Sequence, residues 1–264
     1  MIDECIHGLE GQRCDQCFPK IVPVSEVVIK SRPAARATPG RRATVRLADA
    51  PVDDVGEQRL YHLTHLSNLA AIVAAGALLA DAHEASPSVD ISAADNRELR
   101  RSVVTRLGGQ TVASYVPFFL APDSTMFRAI RNQEFDPRLA IDYQQTPPAD
   151  FVVLVSTVKA VVDLGDATEF AVTDGDATGA TTRFAMTPDA TERMLRNIRA
   201  NKDSPAQHVA EFLVEQTVPF ELVTVIGVAN DRARAAVKAT LKGSAFSPKV
   251  SVYPPWFQRE ELAG

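Results

Sequence analysis

The hydrophobic positions of this chain predict a mixture of strands and helices from about residue 60 onward. Short apolar runs without helical spacing are typical of buried strands. Such runs predict strands at 60–63, 116–120, 151–156, near 168–173 and 181–186, and at 211–214, 223–228 and 249–253. Because Pro117 has no N–H to donate to a ladder, we expect its strand to lie at a sheet edge or to contain a bulge.

Apolar residues at helical spacing, flanked by residues that begin or end helices, predict the helical segments. Thr187, Pro188 and Asp189 form a typical helix start, and this helix is expected to continue to about Ala200. Further helices are predicted at 67–76, around 95–103, at 124–132 and at 231–241. Because strands and helices do not alternate regularly, the pattern predicts an α+β fold rather than a doubly wound sheet.

The N-terminal part of the chain lacks this periodicity and predicts a different organisation. Residues 1–20 contain all three cysteines, residues 21–57 are punctuated by proline and glycine, and residues 58–264 form the expected main domain. The segment 21–57 is basic at first and acidic at its end, which is typical of a linker. Its basic part fits contact with a phosphate backbone, and a solvated tether explains the composition equally well.

Cys5, His7, Cys14 and Cys17 form two short pairs of potential metal ligands. Thiolates and imidazole at this spacing are typical of a closed, four-ligand structural zinc site. A redox pair of Cys14 and Cys17, or free thiols, is the alternative. Because no βαβ pattern surrounds the C-x-x-C segment, we expect structural zinc in an N-terminal zinc knuckle.

Composition and motif absences exclude several classes of protein. The formal net charge of −5 gives no global reason to expect nucleic-acid binding, so any such contact must use a local basic surface. The sequence shows no membrane-spanning apolar run and no signal peptide, so we expect a cytoplasmic protein without membrane contact. The glycine patterns of common phosphate-binding loops and the nucleophile elbow of hydrolases are also absent.

The remaining candidate chemistry lies in three short segments. His62 and Thr64 are two positions apart on a predicted strand, so they share a face suited to ribose hydroxyls or a carboxamide; a partly buried structural histidine is the alternative. Glu211 begins an apolar strand, where it is either solvated or held in a cleft. Arg97 and Arg100 share a helical face that suits a pyrophosphate clamp or simple solvation.

Taken in order, these segments resemble the DarT family of DNA ADP-ribosyltransferase toxins. The segments that carry the resemblance are Tyr61-His62-Leu63-Thr64-His65, Gly76-x-Leu78-Leu79, Tyr115-Val116-Pro117-Phe118-Phe119, Ala210-Glu211-Phe212-Leu213-Val214 and Val252-x-Pro254-x-Trp256-Phe257. Together they span about three quarters of the chain, and no single segment is specific by itself.

The resemblance implies an ADP-ribosyltransferase-like split β-sandwich that holds NAD in the cleft between its sheets. It also implies transfer of ADP-ribose from NAD to a base of single-stranded DNA, with a macrodomain-type antitoxin as partner. By the same resemblance, Glu211 is the catalytic glutamate and Arg97 the catalytic arginine, with Arg100 as the alternative. The residues expected to hold NAD are His62, Thr64, Asn68 and Tyr115.

Three other functions remain open on the sequence. The first is an ADP-ribosyltransferase with the same NAD site that acts on RNA or protein instead of DNA. The second is an NAD glycohydrolase, in which water is the acceptor. The third alternative is an inactive nucleic-acid-binding module built on the zinc knuckle and the basic linker. The joint presence of His62, Thr64 and Glu211 argues against this third alternative.

Overall fold

The computed structural model describes residues 54–83, 87–104, 109–143, 146–165, 168–201 and 204–259. The strands in these ranges are β1 Arg59–His65, β2 Ala77–Leu79, β3 Tyr115–Phe119, β4 Phe151–Thr157, β5 Phe170–Thr173, β6 Phe184–Ala185, β7 Glu211–Glu215, β8 Thr217–Pro219, β9 Val225–Val228 and β10 Lys249–Val252. The helices are α1 Leu69–Ala75, α2 Ala94–Ser102, α3 Thr125–Asn132, α4 Val158–Val162, α5 Pro188–Ala200, α6 Ala206–Val209 and α7 Asp231–Leu241.

Eight strands form one sheet in the order β10-β9-β4-β1-β3-β7-β5-β6, and β2 pairs with β8 in a separate antiparallel ribbon. Within the large sheet, β9 and β10 pair in parallel and the other neighbours pair antiparallel. The result is a mixed α/β fold on a large mixed sheet, which agrees with the irregular order of strands and helices in the sequence.

Both faces of the central strands are buried, which explains why β4 is a continuous apolar run. Val152 and Leu154 belong to one buried cluster, together with residues of β3, β7, α5 and α7. Val153 and Val155 belong to another cluster, which contains α3 residues and the C-terminal Trp256. Successive side chains of a strand point to opposite faces, so a strand covered on both sides is apolar along most of its length, and the polar residues of β4, Ser156 and Thr157, stand at its end.

The large sheet is almost divided between β1 and β3. These two strands share the single register pair Tyr61–Phe119, whereas β1 shares seven pairs with β4, and β3 shares five with β7. We call the junction of β1 and β3 the seam. The split β-sandwich expected from the sequence therefore takes the form of one continuous sheet with a seam, because this one pair still connects the two halves.

Pro117 lies in an interior strand beside the seam, so the expectation of an edge strand or a bulge is wrong. The Pro117 carbonyl accepts a hydrogen bond from the side chain of His62 on β1, at 2.8 Å. The N and O atoms of a strand residue point to the same side, so the missing N–H of Pro117 also faces β1. The interrupted pairing at the seam requires no donor there, and proline is therefore tolerated.

The sequence patterns miss β2, β8, α4 and α6, each of which has five residues or fewer. Such short elements contain too few residues for a repeating hydrophobic pattern to be recognised. The structure also shows that residues 55–57, within the expected linker, form a 3-10 turn in which Val55 is buried. The packed part of the chain therefore includes the last residues before position 58.

Two further expectations concern a zinc site and membrane-spanning segments. The zinc ligands Cys5, His7, Cys14 and Cys17 lie outside the described residues, and the described ranges hold no group of three or more His, Cys, Asp or Glu side chains arranged for a metal. Within those same ranges, no helix combines the length and the apolar character needed to cross a membrane.

Candidate active site

A cavity of about 250 Å³ opens beside the seam. Its wall is formed by parts of β1, β2, α1, α2 and β3 and by the segment 87–92. The wall contains these residues singled out from the sequence: His62, Thr64, Asn68, Arg97, Arg100, Tyr115. Two larger cavities, of about 670 and 530 Å³, contain none of them. The fold thus brings together all the residues expected to hold NAD.

Glu211 is buried at the start of β7, with 4% of its surface exposed. Its Oε2 accepts a hydrogen bond from Nη1 of Arg100 at 3.0 Å, and Oε1 lies 3.3 Å from the same nitrogen. Oε1 also accepts from the backbone N–H of Ala177 at 3.0 Å. The carboxylate is therefore held in the interior, and the solvated alternative for Glu211 does not apply.

Arg97 and Arg100 occupy successive turns of α2 and have different partners. Arg100 is the more buried of the two and forms the ion pair with Glu211. Its Nη2 is also buried and has no hydrogen-bond partner among the described residues. Arg97 pairs with Asp90, and both of these side chains are about one-third exposed on the cavity wall. The sequence expectation preferred Arg97, and the geometry places Arg100 at the carboxylate.

His62 is neutral at pH 7 and has a defined tautomer. Burial lowers the pKa of His62 below its ordinary value of 6.5, and the hydrogen bond to Pro117 opposes that shift without cancelling it. Because the Pro117 carbonyl can only accept, Nδ1 of His62 carries the proton. The other ring nitrogen, Nε2, is left as an acceptor, which suits a ribose hydroxyl or a carboxamide N–H.

Asn68 fixes one wall of the cavity. Its Nδ2 donates to the carbonyl of Val89 at 2.8 Å and to Oγ1 of Thr64 at 3.2 Å. Its Oδ1 accepts from the backbone N–H of Val89 at 2.8 Å. Asn68 therefore holds the segment 87–92 against β1. It also bonds to Thr64, which lines the cavity wall together with His62.

Some partners of Glu211 could not be found from the sequence. The N–H of Ala177 belongs to a turn between β5 and β6, and the backbone N–H of Glu211 donates to Oγ1 of Thr173 at 2.9 Å. A backbone donor carries no residue-type signal. The only local sign is the run of small and polar residues at 173–182, which is typical of turns.

Comparison with known proteins places this geometry in a class of enzymes. The family model described as "ssDNA thymidine ADP-ribosyltransferase, DarT" matches residues 61–258. A DNA ADP-ribosyl transferase of Thermus aquaticus is 30% identical over 217 residues, which cover 77% of this chain and 90% of that protein. The fold and its site therefore define an ADP-ribosyltransferase.

Solved structures support the same assignment. Thermus sp. 2.9 DarT in complex with ADP-ribosylated ssDNA matches with a TM-score of 0.66 and 27% identity, covering 76% of this chain and 96% of that one. The same Thermus protein in complex with NAD+ matches with a TM-score of 0.61 and 26% identity, covering 76% and 98%. This chain belongs to the DarT family, and the resemblance seen in its sequence is confirmed.

The state of His62 predicts a pH dependence of stability. In the unfolded chain His62 binds a proton below about pH 6.5, whereas in the folded chain it does so only at lower pH. Stability therefore rises with pH across this window and is lost on acidification. We expect the free energy of unfolding, measured by urea titration at about pH 7 and about pH 5.5, to fall more for the wild type than for His62→Gln.

The comparison between the two proteins removes the contribution of His65, whose pKa burial also lowers. An equal loss of stability in both proteins would contradict the lowered pKa of His62.

Proposed function

We propose that this protein transfers ADP-ribose from NAD to the thymine base of thymidines in single-stranded DNA. The observation that carries the proposal is the buried Glu211–Arg100 pair behind a cavity lined by His62 and Thr64, in a chain of the DarT family. The printed description of the family supports thymidine as the acceptor, and the DNA and NAD+ complexes of the Thermus protein support both substrates.

The proposed reaction breaks the bond between nicotinamide and the ribose C1′ of NAD. The bonding electrons leave with nicotinamide, which becomes neutral, and positive charge develops on the ribose. The ionised carboxylate of Glu211 stabilises that charge, as a preorganised group does in a site that excludes water. A ring nitrogen of thymine then bonds to C1′, and its proton passes to Glu211 and on to solvent.

The residues divide into two proposed roles. His62 and Thr64 bind NAD in the cavity, with Asn68 fixing the wall and Tyr115 lining it. Arg100 holds the Glu211 carboxylate in place, because burying a charged carboxylate is costly unless it is paired. Arg97, on the cavity wall with Asp90, contacts the NAD pyrophosphate rather than Glu211.

We expect Glu211→Gln to lower the rate of transfer by at least about 10²-fold, since it removes one preorganised charge and changes little in size. The assay incubates the protein with NAD and single-stranded oligonucleotides and detects the added ADP-ribose by intact mass spectrometry. Glu215→Gln, at the other end of β7, is the matched control and should retain activity.

The products of this assay distinguish the competing functions. Free nicotinamide without a DNA adduct would favour a glycohydrolase or an RNA or protein acceptor. A folded Glu211→Gln protein with near wild-type transfer would refute the role of Glu211. Neither adduct nor nicotinamide from the wild type would favour the binding module.

Arg97 and Arg100 should differ in the kinetic parameter that changes when each is replaced. Arg100→Ala removes the partner of Glu211, so we expect kcat to fall by about 10²-fold. Arg97→Ala should mainly raise the KM for NAD, because Arg97 itself lines the cavity, whereas Arg101 does not. Arg101→Ala, which loses only an exposed pair with Asp81, is the control. A larger fall of kcat in Arg97→Ala than in Arg100→Ala would reverse the assignment.

We further propose that Cys5, His7, Cys14 and Cys17 hold a structural zinc ion and that the N-terminal extension helps to capture DNA. The support is the ligand spacing and the basic linker that follows. We expect about one zinc per purified chain, lost on deletion of residues 1–53, with a raised KM for DNA and an unchanged KM for NAD. The deletion stops before Asp54 because Val55 is part of the core. A full chain without zinc would contradict this proposal.

The biological setting follows from the family resemblance. We propose that the protein acts in the cytoplasm as the toxin of a toxin–antitoxin system, with a macrodomain-type antitoxin as its partner. Growth arrest on expression of the wild type but not of Glu211→Gln would support the toxin role. Relief of that arrest by a co-expressed macrodomain protein would identify the partner class, and undisturbed growth would contradict the proposal.

A further inference from the structure

Arg138 is a partly buried residue in the loop that follows α3, and it does not line the cavity. Its Nε and Nη2 donate to the two carboxylate oxygens of Asp136 at 2.9 and 2.6 Å. Its Nη1 donates to Oδ2 of Asp176 at 3.2 Å. One guanidinium thus connects two carboxylates, a geometry that the planar fork of arginine allows and a lysine does not.

Asp176 belongs to the turn that presents the Ala177 N–H to Glu211. Its Oδ1 accepts from the backbone N–H and the hydroxyl of Thr178, at 2.9 and 2.6 Å, and its carbonyl accepts from Oγ1 of Thr182 at 2.6 Å. The Asp176 carboxylate therefore shapes the turn with one oxygen and connects it to Arg138 with the other. The next residue, Ala177, is fully buried and donates to Oε1 of Glu211.

The backbone of the Arg138 segment is also bonded to the start of α2. The carbonyl of Arg138 accepts from the N–H of Ala93, the residue at the N-cap of α2, at 2.8 Å. The neighbouring N–H of Ala140 donates to the carbonyl of Ile91 at 2.9 Å. This short antiparallel contact fixes the start of the helix that carries Arg100.

The two groups that hold the Glu211 carboxylate, Arg100 and the Ala177 N–H, therefore come from elements that both connect to Arg138. We propose that Arg138 is a positioning residue for Glu211, which couples α2 to the turn between β5 and β6. This inference rests on the proposed function, and Arg138 touches neither the cavity nor Glu211. Arg138 contributes by keeping the two donors of Glu211 at a fixed distance from each other.

The electrostatics agree with a connection that is intact at neutral pH. Burial by itself would raise the pKa of Asp136, but the hydrogen bonds and the charge of Arg138 hold it below its ordinary value. Burial likewise opposes ionisation of Asp176, and its bonds to Thr178 with the charges of Arg138 and Arg100 lower its pKa. Both carboxylates are therefore charged under the conditions of the reaction.

The experiment measures kcat and the KM for NAD in Arg138→Ala, together with amide hydrogen exchange in the intact protein. We expect kcat to fall by about 10- to 100-fold at a nearly unchanged KM, because small displacements of a catalytic group cost that much. We also expect exchange to become several-fold faster both in the turn at 174–179 and at the N–H of Ala93, which donates to the Arg138 carbonyl at the start of α2. Arg138→Lys should recover part of the loss, since lysine can pair with one carboxylate.

Arg183→Ala is the matched control, because Arg183 pairs with Asp174 in the same turn but is 80% exposed. It should leave kcat and both exchange rates close to the wild type. Because loss of a partly buried arginine can prevent folding, Asp176→Asn provides a milder variant that keeps an oxygen for Thr178 and removes the charge facing Arg138. It should lower kcat by about 10-fold and speed exchange in the turn.

Folded Arg138→Ala and Asp176→Asn proteins with wild-type kcat and wild-type exchange would overturn the inference. So would an equal loss of kcat in Arg183→Ala. If the wild type shows no transfer, the proposed function fails, and the exchange rates alone decide whether Arg138 couples the two elements.

Discussion

The structure of the site depends on the ion pair between Glu211 and Arg100. A carboxylate buried to this extent is stable as an anion only when its oxygens are paired, and breaking such a pair costs about 3–5 kcal/mol. Arg100 and the Ala177 N–H supply the two partners. The positions of α2 and of the turn between β5 and β6 are therefore constrained by one side chain on β7, although these elements are far apart in the sequence.

The second constraint is the seam between β1 and β3. Where the ladder between these strands is interrupted, His62 replaces it with a side-chain bond to the Pro117 carbonyl. This bond sets the tautomer of His62 and keeps the two halves of the sheet in contact beside the cavity. Pro117, which lacks a backbone donor, suits this place better than an ordinary strand residue would. The interrupted pairing between β1 and β3 thus leaves the Pro117 carbonyl to accept from His62, and this bond sets the His62 tautomer.

Much of the fold could be predicted from the sequence, because its long elements have clear periods and caps. The α5 helix starts at Pro188 after the Thr187 cap, and α7 covers Asp231–Leu241, as the patterns indicate. The very short elements and the interior position of Pro117 could not be predicted, since they depend on strand pairing between distant segments. The seam in the large sheet could not be predicted either, because it depends on how β1 and β3 pair in three dimensions.

Less of the candidate site than of the fold could be predicted from sequence patterns. The residues of the cavity wall could be named from the family resemblance, and the spacing of His62 and Thr64 on one strand face agrees with it. The sequence could not settle the choice between Arg97 and Arg100, because both lie on one helical face and only their partners, Asp90 and Glu211, distinguish them. Sequence patterns describe faces of single elements, whereas a buried carboxylate takes its partners from several elements.

The site has two halves, the cavity and the surroundings of Glu211, and different contacts hold each of them. The cavity half is built on β1 and α1, and its geometry follows from the sheet ladder and from the Asn68 bonds to Val89. The Glu211 half depends on polar contacts between loops and helix starts, which are less redundant than a strand ladder. A change in the cavity half should therefore alter substrate affinity, and a change in the polar half should alter the rate of the chemical step. Because the halves meet at Arg100, which lines the cavity and also bonds to Glu211, this residue physically connects the proposed NAD site with the proposed catalytic carboxylate.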